Sequence, residues 1–120
     1  MLGGRRFGYP NRSAYSVSKW GLIGLTKTLS RELGEFAIRI NAILPGAVAG
    51  KRIENVLAGC AQLSGWTVEE ERRQAMAVRS LQRFVDPRDL AALALCIASG
   101  AGKSISGQLR PIDNDMQTAS

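Results

Sequence analysis

Between Ile38 and Leu44 the chain carries Ile38, Ile40 and Ile43 within seven residues and shows no helical period. Such a run predicts a strand buried on both faces, over 38–44. Strands of that kind occur almost only in parallel sheets covered by helices on both sides, so this segment points to the α/β class. Pro45-Gly46 ends it abruptly. In open α/β sheets ligands bind beyond the carboxyl ends of the strands, which is where this loop falls. On local sequence an ordinary strand-end turn fits equally well.

The stretch ahead of it predicts a helix over 13–34. Apolar or small residues recur at Val17, Gly21, Leu25, Leu29 and Leu33, with Leu22 flanking the stripe. Ser13 is placed to cap its start and Gly34 its end. Gly21 and Gly24 cost about 1 kcal/mol each against alanine, which is understandable where a helix packs closely on a neighbour. Helix followed by buried strand is half of a βαβ unit.

Ile53, Val56, Leu57, Cys60 and Ala61 then mark an amphipathic helix over 51–64, broken at Gly65. Thr67-Val-Glu-Glu70 reads as a capping box for a helix running towards Ser80. Its Glu69, Glu70 and Glu71 suit a helix start rather than a metal. Asp86-Pro87 opens a helix over 87–99, with Leu90, Leu93, Ala94 and Ile97 as its buried stripe. The last strand is expected over 107–113, around Leu109–Ile112. Glycines 3, 4 and 8 with Pro10 make 1–12 a loop. The chain is a single partial domain of 120 residues.

Composition excludes several functions. There is no histidine, which removes Ser-His-Asp and Cys-His catalysis and the commonest zinc ligand; no metal site is expected. No apolar run reaches the roughly 18 residues a membrane span requires, and no secretion signal is visible, so a cytoplasmic location is expected. Cys60 and Cys96 are expected to be buried, reduced thiols. The net charge of +6 is concentrated in residues 1–52, where nine basic residues face only Glu32 and Glu35. Those charges are scattered, without a basic run or interleaved aromatics, so nucleic acid is not an expected partner.

Tyr15 and Lys19 stand four residues apart on the first predicted helix, hence on one face. An ammonium beside a phenol favours the phenolate, which suits the tyrosine for exchanging a proton with an alcohol. The bare Tyr-x-x-x-Lys pattern also fits a half-exposed tyrosine and a solvated lysine. Its context is more specific. The run Gly8-Tyr-Pro-Asn-Arg-Ser-Ala-Tyr15-Ser-Val-Ser-Lys19-Trp-Gly-Leu resembles the active-site helix of short-chain dehydrogenases/reductases. Ile38-Arg-Ile-Asn41-Ala-Ile-Leu-Pro45-Gly46 and Ile105-Ser-Gly107-Gln-Leu-Arg-Pro-Ile-Asp113 resemble later parts of the same family, in the same order.

The resemblance implies the C-terminal half of a doubly wound, parallel-sheet, Rossmann-type fold, with the N-terminal nucleotide-binding half absent from this chain. It implies hydride transfer between NAD or NADP and a small-molecule carbonyl or secondary alcohol. Tyr15 would be the general acid/base, and Lys19 would hold the nicotinamide ribose. Pro45, Gly46 and Val48 would line the nicotinamide pocket, with 45–50 as the nicotinamide loop and 51–80 as a lid over the substrate. A homo-oligomer, dimer or tetramer, is implied through the tyrosine helix and the last helix and strand. Three features depart from the family pattern: no glycine-rich phosphate loop, no serine in residues 1–12, and Gly50 near the place of a usual threonine. The alternative they leave is a catalytically inactive remnant serving as an oligomerisation or interaction module.

Overall fold

The computed structural model describes residues 11–117; the loop expected over 1–12 therefore lies, for 1–10, outside the described residues. In chain order the elements are α1 (Ser13–Glu32), β1 (Ala42–Pro45), α2 (Lys51–Ser64), α3 (Val68–Ala77), α4 (Pro87–Ala98) and β2 (Leu109–Ile112). β1 and β2 pair in parallel, Ala42 opposite Leu109 and Pro45 opposite Ile112. The three helices α2 to α4 make up the crossover between them, as parallel pairing demands.

Several boundaries differ from the sequence expectation, each for a local reason. Ser13 is the first helical residue of α1 and not its cap; Arg12 holds that place, and no side chain caps it. The far end of α1 closes at Leu33, followed by a 3₁₀ turn at Gly34–Phe36, and the left-handed residue is Ala37 rather than Gly34. The strand is shorter than 38–44. Asn41 displaces the ladder there: its side-chain amide donates to the Ile105 carbonyl at 2.9 Å and its oxygen accepts from Gln108 N at 3.1 Å. Ile40 N likewise donates to the Ser106 hydroxyl. Gly107, at φ 68°, is left-handed and cannot begin the last strand. α3 stops at Ala77 because Arg79 turns away to bridge Met116 antiparallel.

Local chemistry sets the helix starts downstream. The Thr67 hydroxyl accepts from Glu70 N while the Glu70 carboxylate accepts from Thr67 N, the reciprocal pair of a capping box. The Asp86 carboxylate accepts from Arg88 N, with Pro87 in the first turn of α4. At the other end of α4, the Arg39 guanidinium donates to the Ile97 and Ala98 carbonyls and to Ile105. A cation on the last carbonyls of a helix answers both its unpaired acceptors and its dipole.

The core lies at the carboxyl end of β1. Leu44, Ala47, Ile53, Leu57, Val85 and Met116 are buried, and Val68, Ala75 and Phe84 pack on the cluster of Ala47, Ile53 and Leu57. α1 contributes little to it. It is tied to β2's approach by the Lys27 ammonium on the Gly107 carbonyl at 2.5 Å, while Val17 is 73% and Leu25 51% exposed. Cys60 and Cys96 are both exposed, contrary to expectation. The packing that covers Ile53 and Leu57 does not extend to Cys60, and the Cys96 side of α4 is uncovered among the described residues.

Candidate active site

The first two turns of α1 bring Tyr15 and Lys19 together. The Lys19 ammonium lies 5.5 Å from the centroid of the Tyr15 ring, within reach of a cation–π contact. Both side chains are half-buried. The helix between them is continuous, so their relative placement is fixed by backbone geometry and not by a loop.

Pro45, Gly46 and Val48 come together at the end of β1. Gly46 N donates to the Ile112 carbonyl at 3.0 Å, and a Cβ built on Gly46 would stand 2.7 Å from the Asp113 Cβ. Only glycine lets the two strand ends approach this closely. Asp113 is buried, and its carboxylate accepts from Asp115 N and Met116 N, which turns the chain just beyond the contact. On the other side Val85 grips the loop: Val85 N donates to the Ala47 carbonyl and Ala49 N to the Val85 carbonyl, both at 2.8 Å. The loop is thus held between β2 and Val85.

A cleft of about 340 Å³ opens on this loop, lined by Pro45, Gly46, Val48 and the first turns of α2. Its walls are mainly apolar, as ligand sites usually are. Tyr15 and Lys19 are not among the lining residues. The structure therefore forms two groups, one on α1 and one at the end of β1, each internally assembled. Among the described residues no group of three or more His, Cys, Asp or Glu converges on a metal position.

Four contributors were not read from the sequence. Val85 pins the loop through backbone bonds, which leave no trace in residue type. Lys51 and Arg52 line the cleft, but in the sequence they pass for the solvated start of an amphipathic helix. Asn41 did carry a signal, being the polar residue inside an otherwise apolar run.

Comparison with known proteins identifies the family and the fold. The model of the enoyl-(acyl carrier protein) reductase family matches residues 2–116. The chain is 32% identical over 110 residues to the 3-oxoacyl-acyl-carrier-protein reductase FabG of Thermotoga maritima, a match covering 92% of this chain and 40% of that protein. It resembles the crystal structure of a short-chain dehydrogenase family protein from Francisella tularensis with a TM-score of 0.84 at 30% identity, over 92% of this chain and 46% of the other. A variant of actinorhodin polyketide ketoreductase solved with NADPH gives a TM-score of 0.84 at 25% identity, over 92% and 42%. The chain spans less than half the length of the curated relatives it matches. Its two parallel strands and their helices are part of a doubly wound, Rossmann-type fold. The chain belongs to the short-chain dehydrogenase/reductase family.

Proposed function

We propose that this chain is the carboxyl-terminal part of an oxidoreductase that moves hydride between a nicotinamide cofactor, NAD or NADP, and a carbonyl or secondary alcohol. The observation that carries the reading is the Tyr15–Lys19 pair on one face of α1. In reduction the Tyr15 hydroxyl gives its proton to the carbonyl oxygen; in oxidation the phenolate takes it from the alcohol. Lys19 holds the ribose hydroxyls on the nicotinamide side. Pro45, Gly46 and Val48 fit the ring end of the cofactor, since their cleft is apolar and held rigidly by β2 and Val85. The cofactor supplies or accepts the hydride. The ketoreductase neighbour, solved with NADPH, supports that choice. Residues 51–80 act as the cover over the substrate, and a cytoplasmic location and a dimeric or tetrameric assembly go with this reading.

One observation favours a second reading. Tyr15 and Lys19 stand outside the lining of the cleft at Pro45–Val48, as they would in an interaction module that no longer catalyses. The two readings separate in a chimera in which this chain replaces the matching segment of the Thermotoga maritima relative. NADH- or NADPH-linked carbonyl reduction by the chimera is expected to fall about 10²–10⁴-fold on Tyr15→Phe. Turnover unchanged by that substitution would refute the acid/base role, and a folded chimera without turnover would leave the interaction module.

A further inference from the structure

α1 carries the Tyr15–Lys19 pair, yet packing does little to hold it. Of its 20 residues only Thr26 is buried, and the Thr26 hydroxyl donates back to the Leu22 carbonyl of its own helix. A polar bond to the sheet side supplies a tie that packing does not. The Lys27 ammonium donates to the Gly107 carbonyl at 2.5 Å, a charge-assisted bond. Gly107 N in turn donates to the Ile40 carbonyl at 2.7 Å, and Ala42 N to the Gln108 carbonyl at 2.9 Å. The path from α1 therefore runs through Gly107 into the approach to β1, the strand that ends at Pro45.

A second observation, independent of the lysine, marks the same contact. Gly107 is left-handed at φ 68°, and a Cβ built on it would stand 2.9 Å from the Ser30 Oγ. That hydroxyl is itself held, donating to the Lys27 carbonyl at 2.9 Å. Ser30 lies one turn beyond Lys27, hence on the same face of α1. Glycine at 107 lets the helix come close enough for the ammonium to reach the carbonyl. Distance then gives the contact leverage. Between Tyr15 and Lys27 α1 is continuous, and at about 1.5 Å per residue the two stand about 18 Å apart along its axis. A tilt of about 5° at Lys27 would displace Tyr15 by about 1.5 Å, and a misplacement of about 1 Å can cost about 10²-fold in rate.

We propose that Lys27, seated on Gly107, is a positioning residue: it aligns the helix that carries Tyr15 and Lys19 with the strand that leads into the Pro45–Val48 loop. Its effect on rate rests on the hydride-transfer reading; the alignment does not.

Two measurements test this on separate footings. In the ¹⁵N-labelled chain, well below its melting temperature, residual dipolar couplings give the orientation and order of α1 relative to β1, β2 and α4. Lys27→Met keeps the stem and removes the ammonium; it is expected to turn α1 by about 5° or more, or to lower its order by about a third, while Lys27→Arg preserves both. A lysine that only adds stability would lower the melting temperature and leave these couplings as they are, so unchanged couplings in Lys27→Met overturn the proposal. The second measurement uses the chimera with the Thermotoga maritima relative. Lys27→Met should lower its NADH- or NADPH-linked turnover about tenfold, and Lys27→Arg should retain it within about threefold. Turnover that falls with Tyr15→Phe but not with Lys27→Met overturns the positioning role. A chimera insensitive to Tyr15→Phe, or without turnover, bears on the hydride-transfer reading alone, and the couplings then decide the role of Lys27.

Discussion

Gly46 shows how one residue type can decide a local arrangement. A methyl group there would meet the Asp113 Cβ at 2.7 Å and its Cα at 2.8 Å, atoms that cannot yield without moving β2. Gly46→Ala is expected to lower stability by about 1–3 kcal/mol, the usual cost of forcing a methyl into a filled site. Gly59 lies inside α2 with open space where its Cβ would go. Gly59→Ala should therefore raise stability by about 0.5–1 kcal/mol. Paired thermal melts check both signs, and a neutral Gly46→Ala would mean the loop can retreat from β2. The sequence placed Gly46 beside Pro45 at a strand end, but its partner Asp113 lies far along the chain. Only the fold could reveal that contact.

At the scale of elements, what was legible followed how local the cause was. The starts of α3 and α4 were readable because Thr67–Glu70 and Asp86–Pro87 hold their own caps. The start of β1 was not, because Asn41 bonds to Ile105 and Gln108, which come near only once β2 is in place. The exposure of Cys60 and Cys96 was illegible for a related reason, since helical periodicity gives the apolar side but not what covers it. Thr67→Ala is expected to cost about 1 kcal/mol, the usual loss of a helix cap, read as a lower melting temperature. Acid acts on the same hairpin. Arg72 holds the Glu54 carboxyl below the usual glutamate range, and hydrogen bonds from Thr67 do the same for Glu70. Both groups are lowered in the folded state, so their contribution is present above the ordinary glutamate pKa and is lost as pH falls through the lowered values. Thermal melts should therefore show a larger loss of stability from neutral to acid pH in the native chain than in Glu54→Gln with Glu70→Gln, which has already lost both carboxylates.

For the whole molecule, shape and surface agree. The radius of gyration is 16.3 Å, against roughly 13 Å for a compact domain of about this length. The excess goes with the exposed apolar residues of α1, Trp20 and Leu25 among them, and with Leu95 on α4. Apolar surface of this extent promotes association. We expect a dimer or larger species in sedimentation velocity; a monomer with a sharp, cooperative melt would count against it. The same incompleteness limits cofactor binding. Tight dinucleotide sites place the pyrophosphate on a glycine-rich helix start after a strand, and the one described helix that directly follows a strand, α2, is reached through Gly46 and Gly50 without the clustered glycines of that fingerprint. On the proposed reading what remains is the nicotinamide end, worth about −4 kcal/mol if it binds at millimolar strength. Calorimetric titration with NADH and NADPH at about 150 mM salt, where surface attraction is screened within about 8 Å, is expected to show no saturable micromolar signal.

The ladder that joins Ala42 to Leu109 has a consequence for how the chain reaches its structure. β1 is made before α2, and its only strand partner among the described residues is made after α4. α2 and α3 can pair with each other while synthesis continues, since their contacts are close in sequence. The ladder of β1 with β2 must wait, those backbone donors and acceptors held by water until the last turn of the crossover is complete. Closing so long a loop is entropically costly before any ladder bond repays it, and topologies of this kind fold slowly. A premature stop anywhere before Leu109 would then leave β1 without β2, an open strand edge for other chains to pair with.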